Sequence, residues 1–160
     1  MADTETTTRD SAFLQHALST LGSGPEWDKA LIAYVAAFAK ASADYEFGDF
    51  RHAIEKYQDG NNALEKACGR EYRSTKEGAA VADLLFDEYQ KAERQRDTQF
   101  LAPLWAAARA LVQVPAPSIA AAVFKAVLVQ HEELDNDTMM EKPPITFVAA
   151  DLAQYAGEAS

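Results

Sequence analysis

Along most of this chain apolar residues recur at spacings of three and four, a period that puts them on one face of a helix. The clearest run is Trp27, Leu31, Tyr34, Phe38, Ala41 and Tyr45. Pro25 suits the first turn of that helix, because its missing N–H has no partner there, and Glu26 and Asp28 complement the positive end of the dipole. A shorter stripe of Phe13, Leu14, Ala17, Leu18 and Leu21 predicts a helix over residues 11–21, broken by Gly22-Ser23-Gly24.

Gly48 is expected to end or kink the Trp27 helix. A weaker stripe of Phe50, Ile54, Tyr57, Leu64 and Cys68 continues it, with a break expected at Asp59-Gly60-Asn61-Asn62, all turn formers. A capping box, Ser74-x-x-Glu77, predicts the start of a long helix whose buried face is Val81, Leu84, Leu85, Tyr89 and Ala92. Pro103 is expected to start a new segment or bend the old one, and Leu104, Trp105, Ala108, Leu111 and Val112 follow as the next apolar face. Pro115-Ala116-Pro117-Ser118 reads as a rigid connector. Beyond it, residues 119–134 are apolar nearly all round, with Lys125 the only charge before Glu132, so this helix is expected to be the most buried element. Val127-Leu128-Val129 also suits a strand, but no alternating partner strand exists. Acidic residues from His131 to Asp137 end it. Pro143-Pro144 precedes a last helix bearing Phe147, Val148, Leu152 and Tyr155, which Gly157 is placed to close.

This pattern predicts an all-α fold, an irregular bundle of about five to seven helices in a single domain over residues 11–160. Residues 1–10 hold little that is apolar and are expected to be a disordered tail. A length of 160 residues, 48% apolar and 25% charged, fits one globular domain. No basic segment followed by an apolar stretch opens the sequence, and Cys68 is the single cysteine. A cytoplasmic protein is therefore expected, with Cys68 a small packed hydrophobe. The longest charge-free apolar runs, 30–39 and the proline-interrupted 110–124, fall short of the roughly 20 residues that span a bilayer.

Net charge is −10, and residues 126–160 set seven acids against Lys142 alone. That polarity disfavours phosphate backbones and anionic lipid, so neither nucleic acid nor membrane is an expected direct partner. Arg70, Arg73, Lys76, Lys91, Arg94 and Arg96 form the one locally basic stretch, but interleaved acids predict a solvated face.

Candidate chemistry adds little. His16, His52 and His131 lack metal-ligand spacing. Asp135-Asn136-Asp137 opens like a calcium loop, but Met140 stands where its glycine belongs and Thr146 where its last glutamate belongs. The glycines are scattered with no phosphate-loop cluster, and Cys68 and the serines lack a nucleophile's neighbourhood. Glu132-Glu133 means little without a pocket, and Trp27 and Trp105 are expected in the core. The sequence thus nominates no catalytic, cofactor-binding or metal residue and no cofactor.

Trp27 and Tyr34 in a Trp-x6-Tyr helix, with Pro115 and Pro117 opening a helix that carries Lys125, resemble small helical proteins of alphaproteobacterial genomes and mobile elements. The resemblance implies an accessory protein and carries over no functional residues. Three readings follow: a noncatalytic helical protein–protein interaction or regulatory factor, including one that pairs with a second copy of itself; an acidic nucleic-acid mimic that blocks a basic groove; and a small-molecule binder or enzyme with an inter-helix cavity.

Overall fold

A computed structural model describes residues 19–158. Among them the chain is all-α, with no strand. The helices are α1 (Pro25–Phe47), α2 (Asp49–Cys68), α3 (Lys76–Arg96), α4 (Ala102–Gln113), α5 (Ile119–His131) and α6 (Pro144–Glu158). The expected tail 1–10 and most of the helix expected over 11–21 lie outside the described residues. Contacts group the rest into two compact units: described residues up to Ala39 together with those from Pro103 onward, and Lys40–Ala102.

Pro25 opens α1 as its imino geometry predicts, and Asp28 folds back to accept from the Ser23 hydroxyl (2.6 Å) and the Gly24 amide (3.2 Å). In the first unit Trp27, Leu31 and Tyr34 of α1, Ala108, Leu111 and Val112 of α4, Leu128 and Val129 of α5 and Val148 of α6 are buried. Each large apolar side chain removed from water contributes about 1.5–3 kcal/mol. The expected strand alternative at 127–129 is helix. α5 stops at His131, earlier than expected, and Glu133 then turns left-handed at φ 54° before a short 3-10 turn, Leu134–Asn136.

In the second unit α2 packs along α3. The rings of Phe50, Tyr57, Phe86 and Tyr89 lie 5.3–6.5 Å apart in successive pairs. These contacts overturn the expected break at 59–62, since α2 runs straight through it. Asn61 donates to the Tyr57 carbonyl (2.7 Å) and accepts from the Tyr72 hydroxyl (2.7 Å), while a Cβ on Gly60 would stand 2.6 Å from a Leu85 methyl. Tertiary packing here outweighs local turn preference.

Other expectations also shift. Thr75, not Ser74, caps α3, accepting from the Gly78 amide (3.1 Å); the Ser74 hydroxyl donates to the Glu71 carbonyl instead. The buried residues of α3 are Gly78 and Ala82, whereas Val81 and Leu84 are exposed. Pro103 stands in the first turn of α4, as expected of a residue that starts a new segment, but no loop precedes it: the chain passes from α3 to α4 through a π turn, Asp97–Leu101, in which the Ala102 amide reaches back to the Asp97 carbonyl. That wider turn accommodates the missing donor of Pro103. Cys68 is exposed rather than packed. Gly157 lies inside α6, not past its end. Phe38, Tyr45 and Trp105 are exposed members of stripes expected to be buried.

Candidate functional site

The helix expected to be most buried is only half so. Ala121, Ala122, Leu128 and Val129 of α5 are buried, but Ile119, Val123 and Val127 are 57%, 52% and 57% exposed. These three residues stand four apart and form one ridge. Ala120, Gln130 and, in the last turn, His131 are the other exposed residues of the helix, and no Asp, Glu, Lys or Arg sits on its exposed face.

The one charge of α5, Lys125, is instead buried, at 1% exposure. Its ammonium donates to Asp151 Oδ2 of α6 (2.6 Å) and to the Val114 carbonyl, and lies 5.9 Å from the Trp27 ring. The connector explains the demand for such a group. Pro115 and Pro117 have no N–H, so helical bonding cannot satisfy the backbone around them. Lys125 serves the carbonyl of Val114, Asp151 Oδ1 accepts from the Ala116 amide (3.1 Å), and the Tyr155 hydroxyl donates to the Ala116 carbonyl (2.6 Å). Ser118 completes the joint, capping α5 at Ala121 and donating to the Leu21 carbonyl (2.6 Å). Burial lowers the Lys125 pKa from its ordinary value, against the opposing pull of Asp151. Lys125, Asp151 and Ala116 at its centre are buried, and the cluster ties α5 and α6 to the connector.

A cleft of about 350 Å3 opens near the α5 terminus, lined by Trp105, Arg109, His131, Glu132, Glu133 and Asp137 among others. Glu132 is buried and accepts from the Tyr34 hydroxyl (2.7 Å), with His131 Nδ1 3.2 Å from the same oxygen. Burial, reinforced by Glu132, raises the Tyr34 pKa far above its ordinary value, so this phenol stays a donor. Arg109 donates to Asp137 Oδ2 (2.9 Å), and Asp137 Oδ1 accepts from the Met139 amide (2.7 Å). Arg109 holds the Asp137 carboxyl below the usual carboxylate range.

A histidine oriented by a carboxylate is the outline of a general base. Here it faces no nucleophile within the cleft, and Arg109, Asp137 and Glu132 are already bonded to protein groups. No cluster of His, Cys, Asp and Glu able to hold a metal occurs among the described residues. The calcium-like acids of 135–137 are drawn into this network through Asp137.

The basic stretch does not act as one face. Arg70 pairs with Glu65 (3.2 Å), Arg73 lies over the Tyr72 ring, and Arg96 turns toward Asp44 (3.6 Å). Sequence reasoning set Glu132-Glu133 aside for want of a pocket, and both now line this cleft; it passed over Tyr34, Arg109, Asp151 and Asp44 as functional groups. The available signal was isolation: Lys125 is the lone charge in an apolar helix and Asp151 the lone acid in the body of the next. Comparison with family models, curated proteins and solved structures returns no match. No described helix is long and apolar enough to cross a membrane.

Proposed function

We propose that this chain is a noncatalytic helical interaction protein, an accessory or regulatory factor that works by pairing with a second copy of itself through α5. The exposed ridge of Ile119, Val123 and Val127 carries the reading. Its side chains are β-branched and stiff at χ1, so ordering them in an interface costs little. A ridge at i, i+4, i+8 fits the matching groove of an identical helix crossing at about −50°. The face has no charge to select a charged partner, whereas a two-fold arrangement lets one patch serve both sides. The acidic-mimic reading draws less support, because Glu132, Asp137 and Asp151 of the C-terminal acids are turned into internal bonds.

Sedimentation of the full chain tests this. Concentration-dependent dimers should form and should be abolished by Val123→Glu. Because two copies of net charge −10 repel, raising salt from about 50 to 200 mM should preserve or tighten the dimer. A nucleic-acid mimic would weaken against its basic target over the same range. A wild-type chain still monomeric at about 1 mM, where −4.1 kcal/mol would already half-fill the dimer, defeats the proposal.

A further inference from the structure

The cleft at the α5 terminus holds a carboxylate that the protein only half satisfies. Glu132 is 8% exposed, and Glu133 beside it is exposed and left-handed, at φ 54°; both line the cleft. Glu132 Oε1 accepts from the Tyr34 hydroxyl (2.7 Å) and lies 3.2 Å from His131 Nδ1. Its Oε2 has no hydrogen-bond partner among the described residues. Nor is it shut away, since the unpartnered side-chain atoms closed to solvent lie elsewhere, at Trp27, Asp44 and Arg96. A charged oxygen stripped of most of its water but open on one side has a strong demand for a donor.

The surroundings of Oε2 select that donor. Three acids on the lining, Glu132, Glu133 and Asp137, stand against Arg109, and Arg109 and Asp137 already neutralise each other at 2.9 Å. The excess charge therefore calls for a cation. Trp105, 38% exposed, forms part of the same wall, and tryptophan is the ring that attracts cations best. An organic cation can lay its apolar stem on that ring, while no cluster of metal ligands occurs among the described residues. One open oxygen suits the point charge of an ammonium better than the fork of a guanidinium, which matches two oxygens at once. A volume of about 350 Å3 is that of a site for a small molecule.

From this arrangement we infer that the cleft binds a small primary alkylammonium ion. The ammonium donates to Glu132 Oε2, Glu133 adds its charge from the rim, and the alkyl stem lies against Trp105. The inference goes beyond pairing through α5 and does not depend on it.

Calorimetric titration of the full chain with n-butylammonium chloride, alongside n-butanol, tests it. Titration at pH 8 keeps the alkylammonium charged and lies above the ordinary histidine range, and about 0.15 M salt screens diffuse attraction to the acidic surface. The alcohol keeps the stem and a single donor but no charge, so it should bind at least about tenfold more weakly, the worth of a hydrogen bond between charged groups. Glu132→Gln, whose amide oxygen can still accept from Tyr34, should weaken the ammonium by about as much, with folding checked by circular dichroism. Trp105→Leu should weaken it about two- to fivefold. Equal affinity for the amine and the alcohol, unchanged amine affinity in a folded Glu132→Gln chain, or no amine binding at about 10 mM would each overturn the inference. The two-ligand comparison on the wild-type chain decides the matter even if a variant does not fold.

Discussion

Replacing Lys125 by Met keeps the volume of the side chain but removes the ammonium from a site where it is 1% exposed. Asp151 then remains a buried carboxylate with only the Ala116 amide to bond it, and the Val114 carbonyl loses its donor. Breaking one side of a buried ion pair costs about 3–5 kcal/mol, since the remaining charge has been dehydrated without compensation. For a chain of this size that corresponds to a fall in Tm of roughly 6–20 °C. Asp151→Asn should cost somewhat less, because the amide oxygen can still accept from Ala116, but it strands the ammonium.

The double variant Lys125→Met/Asp151→Asn removes both charges and keeps the Ala116 bond. It should lie within about 1–3 kcal/mol of wild type, the residual being the unpaired Val114 carbonyl. Urea unfolding at pH 7, followed by far-UV circular dichroism and by fluorescence, gives the coupling from the four proteins. Alkaline titration adds a second reading. Burial lowers the native pKa of Lys125, so the unfolded chain holds the proton over a range where the native chain has released it. Wild-type stability should then rise with pH between the lowered native value and 10.5, and Lys125→Met should lack that contribution. Single variants that cost under about 1 kcal/mol, or a double variant as damaged as the sum of its singles, would refute the reasoning.

Two further outcomes are expected. Gly78→Ala should destabilise by about 1–3 kcal/mol in urea unfolding despite alanine's better helix propensity, because the new Cβ would meet the Tyr72 carbonyl oxygen at 2.1 Å; Gly157→Ala, in open space, should be neutral or slightly stabilising. For Asp137, hydrogen bonding from Arg109 puts the native pKa below the ordinary 3.8, so the contribution is complete above about pH 5 and is lost as pH falls through the lowered value; the stability gap between wild type and Asp137→Asn should therefore close on acidification, and a gap constant down to pH 2 would contradict this assignment.

Periodicity made the helices legible because an amphipathic face leaves its spacing in the sequence. Pro25, Pro117-Ser118 and Pro144 marked starts well, since proline's missing donor constrains where a helix can begin. Asp59-Gly60-Asn61-Asn62 misled because its turn preference is local, while the Tyr72 hydroxyl and the Leu85 side chain that favour helix there arrive from elsewhere in the chain. Thr75 and Ser74 are equivalent in composition, so only geometry identifies the cap. Val81 and Leu84 show that an apolar stripe records an affinity for burial without recording which partner covers it.

The polar clusters were less legible for the same reason. Glu132 and Tyr34 lie 98 positions apart, and nothing in either neighbourhood signals the other. Lys125 was visible as an isolated charge in an apolar helix, but nothing near it in sequence names Asp151, 26 positions on, as its partner. The turn at Gly48 and the π turn at Asp97–Leu101 leave no periodic signature either.

The joint between α4 and α5 ties its own completion to residues that come much later in the chain. Ala116 finds partners for both backbone groups only once Asp151 and Tyr155 have arrived. A nascent or C-terminally shortened polypeptide would therefore hold a connector whose amide and carbonyl must stay hydrated, disfavouring closure of the interior over it. The sharp turn between α4 and α5 therefore draws its stability from α6, the helix farthest from it along the sequence among those that follow.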